Sequence, residues 1–352
     1  MPKRPRSWRE RVAEVDAALV RLLDRRAEIL RSVAKEELPR DLREIGRKAL
    51  SAHRGPFPPP ALERVLEEVD RGCAARVERR VVAFLGPEGT FTHEAAIEQF
   101  GESWEFVPCK GLEEVFRRVE DGEALNGVVP AENTIEGVVS HTLDLLLGTS
   151  LRIVGEVHLP VDHHLLSRAG SLGEVKEIFS HPQAFGQCRA WLAAHLPEAR
   201  LRETSSTAEA AARVRRSRQA AAIASRWAGR RYGLSALACK IDGASGAGQN
   251  LTRFLVLGRE PAPRTGRDKT SIAFSVRHEV GALFRMLESF SRHGINLMKI
   301  ESRPAREKPW EYTFYVDLEG HVEDAPVRRA LGEVKKASHF LKHLGSYPRA
   351  AR

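Results

Sequence analysis

The chain has 352 residues, too many for one ordinary domain, and at roughly 150 residues per domain it implies two or three. With 42% hydrophobic and 29% charged residues it has the make-up of a globular protein, and no apolar run approaches the ~18 residues of a membrane span, so no membrane partner is expected. Its 56 basic and 47 acidic residues leave a net charge of +9, an excess suited to nucleic acid, acidic membrane or small anions. Residues 1–80 hold 20 Lys and Arg against 14 Asp and Glu, and aromatic residues are not interleaved with these charges, so no nucleic-acid partner is expected either. Met1 to Val15 is basic but lacks the apolar segment of a secretory signal, which predicts a cytoplasmic protein. Cys73, Cys109, Cys188 and Cys239 lie far apart with no CxxC spacing, so neither a zinc site nor a disulfide framework is indicated.

From Arg9 to about Lys35, Val12, Val15, Leu19, Leu22, Leu23, Ile29, Leu30 and Val33 recur at helical spacing without Gly or Pro, which predicts one long amphipathic helix. A second helix is expected near Asp41 to His53. The Gly55 to Pro60 segment breaks the chain, and Leu62, Val65, Leu66, Val69, Cys73 and Val77 mark a third, giving an all-α three-helix domain over residues 1–79. Arg9 and Arg26 fall on the apolar stripe of the first helix. An arginine there is paired with a carboxylate, reserved for an anionic ligand, or snorkels to water.

Residues 80–261 alternate strand-like and helical runs: Val81 to Leu85, Gly127 to Val129, Leu151 to Val157, Val175 to Phe179, Ala220 to Ala224 and Phe254 to Leu257 are the strands, and the order predicts an α/β domain. Three strands run into polar turns followed by helical patterns: Gly86-Pro87-Glu88-Gly89-Thr90-Phe91-Thr92-His93, Pro130-Ala131-Glu132-Asn133-Thr134 and Ser180-His181-Pro182-Gln183-Ala184-Phe185-Gly186-Gln187-Cys188. Helix starts leave N–H groups unpaired and carry partial positive charge, so such turns are suited to hold a carboxylate without a metal. Ser206-Thr207-Ala208-Glu209 reads as a capping box. After a polar link the remainder, residues 268–352, reads strand, helix, strand, strand, helix, strand. This is a ferredoxin-like βαββαβ order, with Gly281 at the first strand-to-helix turn, where the absence of a Cβ permits close approach.

Together with Asn250-Leu251-Thr252-Arg253-Phe254, the three turns resemble prephenate dehydratase in order and spacing, and Gly281-Ala282-Leu283 and Glu301-Ser302-Arg303-Pro304 resemble the phenylalanine-sensing ACT domain fused behind that enzyme. The resemblance implies two lobes of the periplasmic-binding-protein type around a cleft, with the strand of Thr252 crossing back to the first lobe. It implies decarboxylating dehydration of prephenate to phenylpyruvate without a cofactor. Thr252 is then the group at the leaving hydroxyl, and Glu132 an orienter or proton source. Asn133, Ser180, Gln187, Thr90 and Ser206 contact substrate, and Arg253 either holds a carboxylate or forms a structural pair. His93, His163 and His164 are ambiguous between structure and catalysis. Phenylalanine is the implied allosteric ligand, held by Gly281, Ala282, Leu283, Asn296, Leu297, Glu301, Ser302, Arg303 and Pro304, in a homodimer or homotetramer. Arogenate is the alternative substrate, and a non-catalytic amino-acid sensor the alternative function.

The first helix is similar to that of the helical chorismate mutase domain often fused ahead of this enzyme, with Arg9 and Arg26 at substrate-binding positions. The pattern then departs from the family. Glu37 stands where a catalytic lysine is placed, with Lys35 half a turn earlier, and Asp41, Arg43 and Glu44 are spaced one residue too closely. Whether this domain rearranges chorismate or serves dimerisation or allostery stays open on the residues alone.

Overall fold

The computed structural model describes residues 7–31, 45–46, 48–75, 80–242, 250–276, 279–304 and 312–350. The chain divides into two compact units, residues 1–80 with 100–105 and residues 81–99 with 106–352. In the first, α1 (Trp8–Arg31) and α2 (Pro59–Ala75) are the long helices, and helical backbone recurs at 45–46 and 48–52. Ser7 starts α1 with a reciprocal box: its hydroxyl accepts from the Glu10 N–H at 3.3 Å, and the Glu10 carboxylate accepts from the Ser7 N–H at 2.8 Å. Arg26 is paired with Asp70 of α2. Ala27 and Leu30 are buried, whereas Val12, Val15, Leu19, Leu22 and Ile29 of the predicted stripe remain exposed on the single chain. Lys35, Asp41, Arg43 and Glu44 lie outside the described residues.

The second unit is built from three sheets. The first contains β1 (Val81–Leu85), β2 (Glu105–Cys109), β3 (Asn126–Asn133), the short β4 (Gly137–Val138), β5 (Arg152–Pro160) and the late β11 (Leu251–Gly258), in the order β2-β1-β3-β11-β5 with β4 beside β3. Its helices are α3 (Phe91–Phe100), α4 (Leu112–Glu120) and α5 (Ser140–Gly148). The expected return of the Thr252 strand to the first lobe is present: β11 lies antiparallel between β3 and β5. The second lobe comprises β6 (His164–Ser167), β7 (Glu177–Ser180), β8 (Arg200–Glu203), β9 (Ala220–Ala224) and β10 (Ser235–Ala238), in the order β10-β6-β9-β7-β8. Helices α6 (Pro182–His195), α7 (Thr207–Val214) and α8 (Arg226–Tyr232) accompany it.

The last region runs β12 (Asp268–Val276), α9 (Ala282–Arg292), β13 (Leu297–Pro304), β14 (Tyr312–Glu319), α10 (Ala325–Ala337) and β15 (Ser338–Pro348), in the sheet order β13-β14-β12-β15. One apolar cluster, with Phe274, Met286, Phe290, Val327 and Val334, lies between the sheet and its two helices. From the same sheet Ala273, Tyr315, Leu344 and Tyr347 join Leu143, Ile153 and Leu255 in the core of the first lobe, so the two regions share a buried interior. Gly345 makes that approach possible: a Cβ built there would lie 2.1 Å from the Ile153 carbonyl oxygen. Lys342 of β15 adds a hydrogen bond from Nζ to the Leu147 carbonyl at 2.8 Å.

Candidate active site

A cleft of about 870 Å³ opens where the C-terminal ends of β1 and β3, the start of β11 and the starts of α6 and α7 converge. The first turn is held from the second lobe. Gly89 has φ +87°, and a Cβ on it would sit 3.0 Å from the Tyr232 ring, while the Tyr232 hydroxyl donates to the Glu88 carbonyl at 2.7 Å. Thr90 lines the cleft, but its hydroxyl donates to the Leu85 carbonyl at 3.1 Å and accepts from the His93 N–H at 3.3 Å, which caps α3. His93 is buried and stacked on Phe84 with centroids 4.4 Å apart, and burial lowers its pKa, so it is a neutral structural group at the helix start.

Asn133 and Thr252 stand opposite each other on β3 and β11, and the Asn133 amide donates to the Thr252 hydroxyl oxygen at 2.9 Å and to the Asn250 side-chain oxygen at 2.7 Å. The Asn133 oxygen accepts from the N–H groups of Ile135 and Glu136, at 2.9 and 3.1 Å. Asn250 donates to the Gln187 oxygen at 3.4 Å, and His163 Nε2 is 2.9 Å from the same oxygen. One chain of neutral polar groups therefore runs Thr252, Asn133, Asn250, Gln187, His163 across the cleft. In this arrangement His163 donates through Nε2, which leaves its buried Nδ1 without a hydrogen-bond partner, and burial lowers its pKa. The Gln187 amide donates to Glu136 at 3.4 Å, and partial burial raises the Glu136 pKa.

Ser206 lines the cleft as the cap of α7, accepting from the Glu209 N–H at 3.0 Å, with Glu209 reaching back to the Ser205 N–H at 2.9 Å. The Ser206 half of the expected capping box is therefore present, while the Glu209 carboxylate takes the N–H of Ser205, one residue before the cap. Cys109 also lines the cleft, with burial pushing its thiol up to about 11, so it is not a ready nucleophile. Among the described cleft residues, no hydroxyl or thiol is hydrogen-bonded to a histidine ring, the pairing an activated nucleophile requires.

Three expected site residues are placed elsewhere. Ser180 is fully buried at the end of β7 and its hydroxyl donates to the Ile223 carbonyl at 2.8 Å, so it stitches two strands and does not reach the cleft. Glu132 and Arg253 are each one residue from a cleft group and, by the two-residue period of a strand, point to the opposite face of the sheet. There Arg253, 9% exposed, lies 2.8 Å from Glu156, 2.6 Å from Asp317 and 3.3 Å from Glu132, and donates to the Tyr347 hydroxyl at 2.8 Å. Glu132 is also paired with Lys299 of β13. The structural alternative for Arg253 is the one found.

In the last region Gly281 has φ +76° and precedes α9, with Ala282 buried and Leu283 against the core. Asn296 is exposed and Leu297 packs against the core. Along β13, Ser302 and Pro304 are exposed, while Arg303 is paired with Asp144 of α5 at 3.2 Å and Glu301 borders a small gap shared with Lys299 and Arg253. Glu301 and Arg303 therefore face the first lobe rather than the surface on which Ser302 lies. Neighbours on this strand thus lie on opposite faces of the sheet. In the helical unit, Arg9 is exposed beside Trp8, and Arg26 keeps a buried Nη1 without a hydrogen-bond partner beyond its pairing with Asp70.

Sequence reasoning missed Asn250, His163 as a member of the network, Glu136, and Lys110, which is the one ammonium or guanidinium among the described residues lining the cleft. Asn250 had a signal: it lies two residues before Thr252, hence on the same side of an extended chain.

The architecture and the cleft define a two-lobed α/β protein built to hold a small polar ligand with neutral donors, joined through a shared core to a four-stranded sheet with two helices. A family model described as prephenate dehydratase matches residues 82–262, and one described as ACT domain matches residues 270–335. A relative from Aquifex aeolicus (strain VF5), called bifunctional chorismate mutase/prephenate dehydratase, is 44% identical over 354 residues, covering 97% of each chain. The structure of prephenate dehydratase from Arthrobacter aurescens in complex with L-Phe is 37% identical with a TM-score of 0.68, covering 77% of this chain and 90% of that one. The structure of GqqA, described as a novel type of quorum quenching acylase, is 30% identical with a TM-score of 0.69, covering 77% of this chain and 98% of that one. The chain belongs to the prephenate dehydratase family.

Proposed function

We propose that the protein converts prephenate to phenylpyruvate, with loss of water and carbon dioxide, and is feedback-inhibited by phenylalanine. The observation that carries this reading is the Asn133 to Thr252 hydrogen bond, 2.9 Å long, on the cleft wall. Asn133 donates to the Thr252 oxygen, leaving the threonine proton free to point at a ligand. In prephenate the ring C–O bond breaks as hydroxide departs, and the ring carboxylate leaves as carbon dioxide, its bonding electrons completing the aromatic ring. A proton delivered to the departing oxygen lowers this barrier. Thr252 lies at that oxygen, and Asn133, with Asn250, Gln187 and His163 behind it, fixes its position. Lys110 supplies a cation to one carboxylate, and Thr90 and Ser206 shape the turn ends.

The domain limits are 1–79, 80–261 and 268–352, the last ferredoxin-like in order. Gly281, Ala282, Leu283 and Ser302 form the surface for phenylalanine. Residues 1–79 form a chorismate mutase-like helical domain with Arg9 and Arg26 toward the substrate. The exposed stripe of α1 supports a homo-oligomer in which a second copy covers it. The test is phenylpyruvate formation from prephenate with and without phenylalanine, then the same assay from arogenate (reading phenylalanine) and chorismate. Refusal of both prephenate and arogenate by folded protein would leave an amino-acid sensor as the better reading.

A further inference from the structure

The two faces of β3 and β11 carry different chemistry at adjacent positions. Asn133 and Thr252 meet on the cleft side, and Glu132 and Arg253 meet on the side covered by the last sheet. On that side Glu132, Arg253 and Glu156 of the catalytic lobe interlock with Lys269, Asp317 and Lys299 of β12, β14 and β13, three cations against three carboxylates. Tyr347 and Ser271 complete the cluster, their hydroxyls 2.6 Å apart, and Lys269 lies 2.8 Å from Glu156. Every group of this layer except Glu132 and Lys299 is at most 9% exposed. Buried charges tolerate little misplacement, because an unpaired ion in a dry interior is costly.

Lys299 is the least buried cation of the layer. It lies on β13, the edge strand that also carries Ser302, and it reaches Glu132 from the far side of the sheet. A shift of β13 either drags Glu132 with it or breaks the pair, and Glu132 is joined through one peptide bond to Asn133. We propose that Lys299 is a positioning residue for the cleft: through Glu132 it sets the Asn133 to Thr252 hydrogen bond, and phenylalanine bound to the last domain lowers turnover by displacing it. This rests on the function proposed above and adds the route by which that site is regulated.

The test compares wild type, Lys299→Met, Lys299→Arg and Lys342→Met as full chains. Kinetics are measured with prephenate, inhibition with phenylalanine, and phenylalanine binding by calorimetry. Lys342→Met removes an interdomain contact to Leu147 that touches neither β3 nor β11 and serves as the docking control. Lys299→Met is expected to lower kcat at least tenfold with KM within threefold, and to bind phenylalanine within threefold of wild type. Saturating phenylalanine then suppresses its residual turnover less than twofold. Lys299→Arg restores at least half of wild-type kcat, and Lys342→Met stays within twofold. Unchanged kcat and inhibition in Lys299→Met would overturn the proposal, as would equal losses in Lys342→Met, which would reduce Lys299 to a docking contact. A wild-type chain that forms no phenylpyruvate overturns the functional reading itself, and the inference with it.

Discussion

Replacing Arg253 by methionine keeps most of the buried stem and deletes the charge that the structure places among three carboxylates. Glu156 and Asp317 then stay buried with their main cation gone, although Lys269 remains 2.8 Å from Glu156 and the Ser271 hydroxyl still donates to Asp317. Removing one partner of a buried pair costs about 3–5 kcal/mol, and the remaining contacts put this variant near the lower end, about 3 kcal/mol. The sign with pH is fixed by Glu156. Burial opposes its charge, but His158, Arg253 and Lys269 together hold its carboxyl well below the usual range. A depressed carboxylate contributes stability above its unfolded pKa, 4.5, and loses it as pH falls through the folded value. The cost of Arg253→Met should therefore be full at pH 7 and shrink in acid, where Glu156 in the variant takes up its proton earlier than in wild type. Urea unfolding followed by tryptophan fluorescence at pH 7 and pH 4.5 measures both quantities. An unchanged midpoint together with a hundredfold loss of kcat/KM would refute the placement and return Arg253 to the substrate.

Thr252→Ala should lower kcat on the order of 100-fold or more, the range of a proton-delivery contact, and cost under about 1 kcal/mol of stability, since the Asn133 amide keeps Asn250 and Leu251 as acceptors. An effect confined to KM would remove its catalytic role. Ser180→Ala should cost about 1 kcal/mol through the lost bond to Ile223 and leave kcat/KM within threefold, whereas a large kinetic loss would place Ser180 in the cleft after all. Ser302→Ala should raise the phenylalanine needed for half-inhibition at least tenfold, and unchanged sensitivity would move the ligand off that surface. Burial and the Glu98 carboxylate raise Glu94 to about 7 from 4.5, so it adds stability as pH falls through that window, while burial and Arg152 push His343 down to about 4 from 6.5, so it removes stability as pH falls. At roughly 3 kcal/mol each these oppose one another. Glu94→Gln should therefore steepen the loss of stability between pH 7 and 4.5 by roughly that amount, and parallel pH profiles of variant and wild type would sink the assignment.

The strands of the two lobes were legible where both faces are apolar, as in Val81 to Leu85 of the first and Ala220 to Ala224 of the second. The edge strand β8, Arg-Leu-Arg-Glu, has all four residues exposed and carries no burial pattern to detect. The turns of the site were legible because strand, polar turn and helix follow one another in a few residues. The side to which each residue points was not. In β3 and β11 apolar residues fill both faces below the cleft, so polarity does not mark the cleft side, and Glu132 and Arg253 read as well as Asn133 and Thr252. Only the register, Thr252 opposite Asn133 and Arg253 opposite Glu132, separates the pairs. Ser180 was misread for a related reason. It ends a strand at the position where a ligand contact is expected, but its neighbour β9 offers the Ile223 carbonyl and takes the hydroxyl. The apolar stripe of α1 was legible, but what covers it does not follow from one chain.

The displacement of Arg253 by one residue has a chemical consequence for a decarboxylating enzyme. A guanidinium against the departing carboxylate would stabilise the substrate's charge, and that stabilisation disappears as the charge leaves with carbon dioxide. Such a contact deepens the ground state more than the transition state and slows the step. Amides and hydroxyls hold the same group more weakly, and their interaction with the departing oxygen strengthens as charge gathers there. The cleft has this composition in its interior: Asn133, Asn250, Gln187 and Thr252, with a neutral His163 at the end of the network and Lys110 exposed at the end of β2. The strongest cation near the site is thus kept on the other face of the sheet. There its charge is matched by carboxylates and holds the regulatory domain against the strands that carry Asn133 and Thr252.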